Sequence, residues 1–321
     1  MKKILVLLLL IPALIQSQVN IDNSDFLEKL KILKIYFIAP YDVEYTNEEI
    51  KQFKSAWALS ELVVIPRKNA FSKIEEKEAF VFELTSRTYT TGNAKYNDNY
   101  KQHGSVLAEQ SHRKLCFKLS YIYDLKIESE DKVSWKSVEF AYIDAYEDLL
   151  KEESPSIFNK TPGMIKNYLQ YLNSCLSNKL AINCQKNIAV STKLATLKND
   201  TLYIPKYVLK GLAFEYIKNG RSVEVKATRV KRKASEIFKD YTFPYKVISD
   251  AQLSDKILTC EKSFYYLMYI CSNTDRYVSI VNAKTGKIVY LNYTRLRSTK
   301  NDMLFLNPKD IKKLIKKISP K

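Results

Sequence analysis

The sequence predicts an α+β fold: mixed or antiparallel sheets with packed helices, ending in a three-stranded meander and a C-terminal helix. Three observations carry this. Short runs rich in Tyr, Phe, Ile and Val alternate with polar residues, the period of half-buried strands. Capping signals precede stretches whose apolar residues recur every three or four positions. Gly numbers only 6 in 321 residues, against 23 Tyr and 14 Phe, which favours long regular elements over glycine-turn repeats. No repeat of fixed period stands out.

Read in order, the first 17 residues form an export signal. Lys2 and Lys3 give a positive start, Ile4 to Ile15 an apolar run, and Ser17 a small residue at the cleavage position. The run is too short to span a bilayer. The mature chain then begins at Gln18, in a periplasmic or secreted setting that permits disulfides. Its longest apolar run, Phe264 to Cys271, is far below the length of a transmembrane span.

Leu30 to Ala39 reads as a strand stopped by Pro40, preceded by a helical turn from Ser24. Thr46 and Glu49 make a capping box for a helix over Ile50 to Trp57. Leu62 to Ile65 is a second strand, so the chain opens on a strand-helix-strand unit. Phe80 to Tyr89 and Leu115 to Ile127 alternate as strands around a polar loop from Thr90 to Gln102. From Phe140 to Glu153 the spacing is helical. Pro155 breaks it, and Thr161 with Pro162 starts the next helix, Pro standing where its missing N–H costs nothing. Leu194 to Leu197 and Leu202 to Ile204 read as a hairpin about Lys198 to Asp200. Ser249 to Gln252 opens a short helix through Leu258.

Phe264 to Cys271, Tyr277 to Ala283 and Lys287 to Tyr293 form the meander, with Gly286 supplying the positive φ of its tight turn. The nine residues from Asn282 to Tyr290 resemble the turn of quinone-type propeller blades and of small peptidase-propeptide domains. The string occurs once, without the repeats a propeller needs. Lys309 to Ile318 is a basic amphipathic helix with Ile311, Leu314, Ile315 and Ile318 on one stripe, expected to pack on its own sheet.

The charge divides the chain. Residues 18–160 hold 20 Lys+Arg and 24 Asp+Glu, net −4, whereas residues 161–321 hold 30 and 11, net +19. With the breaks near Pro155, this divides the mature chain into an N-terminal α+β part, 18–160, and a basic α+β part, 161–321. So much like charge repels itself unless an anionic partner or salt screens it. Lys226, Arg229, Lys231, Arg232 and Lys233 stand within eight residues and are the expected anion-binding contact. The partner so implied is an anionic envelope surface, a polysaccharide or an acidic protein. Nucleic acid is not expected, because Arg numbers 9 against 43 Lys and phosphate readers favour the fixed fork of Arg.

Chemistry is sparse. The glycines are too scattered for a dinucleotide fingerprint, a phosphate-cradling loop or a nucleophile elbow, and no cofactor is predicted. Only His103 and His112 exist, so imidazole catalysis must use that stretch. On a helix, His112 would share a face with Glu109 and with Cys116, offering carboxylate, imidazole and thiolate to a metal, with His103 brought round by a loop. His103, Glu109 and His112 are the candidate catalytic residues of a metal-assisted hydrolase, the alternative to a non-enzymatic binding protein, and with Cys116 they are the candidate metal ligands. Five cysteines make an odd count. Local spacing pairs Cys175 with Cys184 and Cys260 with Cys271 as the economical bridges, leaving Cys116.

Overall fold

Two strand-rich stretches build two six-stranded sheets. The computed structural model describes residues 19–21, 26–40, 43–68, 70–91, 110–129, 132–146, 157–178, 188–219, 222–271, 275–295 and 305–320. The expected export signal lies outside them. The fold is α+β and ends, as its sequence predicts, in an antiparallel three-stranded meander and a helix.

The first sheet contains β1 (Val19–Ile21), β2 (Ile35–Ile38), β3 (Leu62–Ile65), β4 (Ala79–Thr91), β5 (Gln110–Ser129) and β6 (Lys132–Asp144). The second contains β7 (Ile188–Val190), β8 (Leu202–Pro205), β11 (Tyr245–Ile248), β12 (Tyr265–Cys271), β13 (Asp275–Asn282) and β14 (Ile288–Arg295). A separate hairpin, β9 (Lys210–Asn219) with β10 (Ser222–Lys231), leaves between β8 and β11. The helices are α1 (Leu27–Ile32), α2 (Asn47–Ala56), α3 (Pro162–Ser177), α4 (Ala234–Ile237), α5 (Asp250–Leu258) and α6 (Pro308–Ile318).

The two sheets share one topology. The first runs β1-β6-β5-β4-β2-β3 and the second β7-β14-β13-β12-β8-β11. In each, the second strand of the set pairs in parallel with the third and fourth, and the remaining ladders are antiparallel. In each, a helix beginning with Pro at its first turn follows the last strand. Even a single connecting bond recurs: Leu125 N–H donates to Lys77 O in the first sheet, and Ala283 N–H to Phe264 O in the second.

Local chemistry explains the helices. Thr46 Oγ1 accepts from Glu49 N at 3.3 Å while Glu49 accepts from Thr46 N at 2.8 Å, the reciprocal capping box that starts α2. Ser249 with Gln252 and Asn307 with Asp310 do the same for α5 and α6. The strands bury their aromatic residues: Phe37, Phe80, Phe82, Phe117 and Phe140 in the first sheet, and Tyr266, Tyr269 and Tyr290 in the second, are all fully buried.

Helix α3 lies between the sheets. Tyr168 stands 5.5 Å from the Phe117 ring on one side, and its hydroxyl donates to Met268 Sδ on the other. Asn167 donates to Ala283 O and accepts from the Tyr266 hydroxyl. Two glycines permit this contact. A Cβ on Gly163 would lie 2.6 Å from Ser254 O, and one on Gly286, at φ +68°, would lie 2.3 Å from Asn167 O. Gly286 therefore meets both demands, the left-handed turn and the close approach of α3. The main core therefore runs through both sheets, from Leu30 to Ile318, and a second, smaller cluster around Tyr36, Ile38, Val81 and Ile122 belongs to the first sheet alone. The sheets part between Asp144 and Ile188, and α3, placed by charge with the second part, packs on both.

Three local expectations change, and one element is new. Leu30 belongs to α1, and only Ile35–Ile38 is strand. Residues 140–144 are strand and not helix: the register shifts where Leu119 faces Ala141 and Ser120 faces Glu139, so adjacent Phe140 and Ala141 are both buried. That bulge breaks alternation and imitates helical spacing. Leu194 and Leu197 lie in a 3₁₀ turn, Thr192–Lys198, which buries both at a spacing of three. The β9–β10 hairpin was hidden by the charges that β10 carries.

Candidate anion-binding face

The opposite face of the second sheet from α3 is covered by α6. Pro308 opens this helix at a position where no N–H is needed, and Asn307 accepts from Lys309 N and Asp310 N. Lys316 and Lys317 stand in the last turn, where the helix dipole favours cations. Ile311, Leu314 and Ile318 are at most 1% exposed, so the apolar stripe packs on the protein's own core. Asp310 is also buried, 3.5 Å from Arg276 of β13. Burial pushes its carboxyl above the usual range, with the Arg276 charge opposing.

Two basic segments far apart in sequence meet on this layer. The chain leaves β10 through Arg232 and Lys233 into α4, which packs against α6. Arg232 lies 5.0 Å over the Phe305 ring and 3.9 Å from Glu236, and Lys312 reaches Asp240 at 3.3 Å. Around these contacts Arg229, Lys231 and Lys233 are exposed, as are Lys309, Lys312, Lys313, Lys316 and Lys317 on α6. The 3₁₀ turn under α6 adds exposed Lys193 and Lys198. Of the five cations expected to act together, Lys231, Arg232 and Lys233 thus lead into α4, whereas Arg229 lies on β10 opposite Leu212. Lys226 pairs further along the hairpin, opposite Glu215 in the ladder.

The stripe on α6 was legible as a helical pattern, but its adjacency to the 231–233 segment was not, because a crossover of more than seventy residues separates them. The alternation of Val223, Val225 and Ala227 carried the signal for β10 that the charges obscured.

The metal-site candidates fall differently. His103 and Glu109 lie outside the described residues. His112 lies on β5 opposite Tyr89, and Cys116 lies on the same strand opposite Thr85 and Asp144. The backbone from His112 to Cys116 is extended, so the helical face that would join them does not form. Four residues of strand separate their Cα atoms by about 13 Å, too far for one ion. Among the described residues no group of three or more His, Cys, Asp and Glu stands ready to hold a metal.

The cysteines do not form the expected local bridges. Cys175, Cys260 and Cys271 all carry thiols, as does Cys116, and Cys184 lies outside the described residues. Cys260 follows α5 near the start of β12 and Cys271 ends that strand. The extended strand between spans about 20 Å, well beyond the Cα separation a disulfide bridges. Burial pushes the Cys175 and Cys271 thiols up to about 12, which leaves them protonated and unreactive at neutral pH.

Between α3 and the second sheet there is a cavity of ≈ 10 Å³, lined by Tyr168, Tyr171, Tyr266 and Val281. It has room for about one water and none for a substrate. No helix of the described residues is long and apolar enough to cross a membrane. Compared with known proteins, the chain matches no family model, no curated protein and no solved structure.

Proposed function

We propose that this is an exported, non-enzymatic binding protein whose basic second part holds an anionic envelope surface, a polysaccharide or an acidic protein. The observation that supports the reading is the convergence of the 231–233 segment and the α6 lysines on one layer. Like charges gathered this closely repel, and an anionic partner relieves the repulsion. Cations on an exposed face also speed encounter with such a partner and make binding salt-dependent.

The test is retention on an anionic resin and on anionic phospholipid vesicles. Replacing Lys231, Lys233, Lys312 and Lys316 together by Ser should move elution to markedly lower salt. Elution unchanged by the four substitutions overturns the proposal.

A further inference from the structure

The repeated topology makes α6 the counterpart of α3. Aligning the helices on Pro162 and Pro308 superposes their apolar sides: Ile165 with Ile311, Tyr168 with Leu314, Leu169 with Ile315 and Leu172 with Ile318. The opposite side of α3 faces the second part: Gly163 and Lys166 meet α5, Asn167 and Gln170 meet the turn after β13, and Tyr171 lies beside Tyr266 and Val281. In α6 those five positions are Lys309, Lys312, Lys313, Lys316 and Lys317, all of them exposed. At Gly163 the Ser254 backbone leaves no room for a side chain, whereas the matching Lys309 extends into solvent.

How α3 uses these positions shows what such a face takes. Gly163 N–H donates to Ser254 Oγ, and Lys166 Nζ donates to Ile257 O and Leu258 O. Asn167 Nδ2 donates to Ala283 O and Gln170 Nε2 to Lys284 O. Lys166, Asn167 and Gln170 donate from their side chains to four main-chain carbonyls, Lys166 also to Gln52 Oε1 of α2, while Asn167 Oδ1 accepts from the Tyr266 hydroxyl. Five lysines at the same positions offer only donors, each a mobile point charge suited to carboxylates and carbonyls and not the fixed fork that favours phosphate. No apolar residue stands among the five, so the face has nothing to insert into lipid.

Resting on the reading that the basic layer takes an anionic partner, we propose that the exposed stripe of α6 is a docking face for an acidic polypeptide, its lysines donating to the partner as Lys166, Asn167 and Gln170 of α3 donate to α5 and the turn after β13. Carboxylates of the partner meet the lysine charges, and its carbonyls take the remaining N–H donors. The cations of residues 231–233 lie beside this footprint and assist only at its edge.

The test uses the full chain and poly-glutamate as probe, with anionic phospholipid vesicles and a sulfated polysaccharide as comparators, under one salt condition. Lys312→Gln, Lys313→Gln and Lys316→Gln together should weaken poly-glutamate binding at least about tenfold, with an unchanged thermal melt. Lys231→Gln with Lys233→Gln should weaken it no more than about threefold. Acetylation with and without the probe should show protection from Lys309 to Lys317. Tighter binding to vesicles or polysaccharide than to poly-glutamate, or equal losses in the two variants, overturns the α6 assignment while leaving an anionic partner in place. Binding to none of the three polyanions overturns both.

Discussion

Asp310 shows how one residue joins helix formation to the core. Its carboxylate accepts from Asn307 N at 3.2 Å to complete the α6 cap, and it lies 3.5 Å from Arg276 at 1% exposure. Burial holds its carboxyl above the ordinary value. A proton is therefore retained by the folded chain at a pH where the unfolded chain has released it. The stability this group contributes is present in full below about pH 4 and is lost as pH rises through the folded value. Asp310→Asn removes the titration. Chemical denaturation across pH should show the wild type losing stability relative to this variant on going upward from about pH 4, and a flat difference would refute the sign. Such a role is invisible in sequence. The Asn-Pro-x-Asp string announces a helix start, but nothing in it tells that Arg276, thirty-four residues earlier, lies beneath.

At the scale of elements, α6 divides cleanly between a side that holds the fold and a side that faces solvent. Leu314 is fully buried on the first, and its truncation leaves a cavity that the rigid sheet beneath fills poorly. Leu314→Ala should cost about 2–5 kcal/mol, whereas Lys313→Ser on the exposed side should stay within about 0.5 kcal/mol. Urea titration of the two variants separates them, and equal losses would mean that the helix does not rest on its apolar stripe. The stripe was readable from residue spacing alone, as were α2, α5 and the meander, because capping boxes and tight-turn glycines act within a few residues. Elements whose pattern answers to distant partners were not. The bulge that buries Phe140 and Ala141 together depends on β5, and the crossover that brings 231–233 to α6 depends on the whole second sheet.

At the scale of the molecule, the doubled topology escaped the sequence because its spacing is uneven. From Ile35 to Leu202 is 167 residues, from Lys77 to Phe264 is 187, and from Pro162 to Pro308 is 146. The inserted β9–β10 hairpin lengthens one interval, and the shorter β13 and β14 contract another, so no fixed period survives. Sharing α3 also ties the two sheets into one cooperative body, since neither can open without uncovering that helix. Calorimetry should record a single unfolding transition whose calorimetric and van't Hoff enthalpies agree. Two resolved transitions would show that the junction at Asn167 and Gly286 is too weak to couple them.

A helix shared by two sheets sets an order of events during synthesis. Its last residue, Ser177, leaves the ribosome about 120 residues ahead of Arg295, a delay of roughly 6–24 s at about 5–20 residues per second. Through that interval Tyr171 and Gly163 face water with no second sheet to receive them. A nascent chain stalled there offers a sticky surface to any passing strand, so prompt completion, or a chaperone's shelter, guards this protein against aggregation.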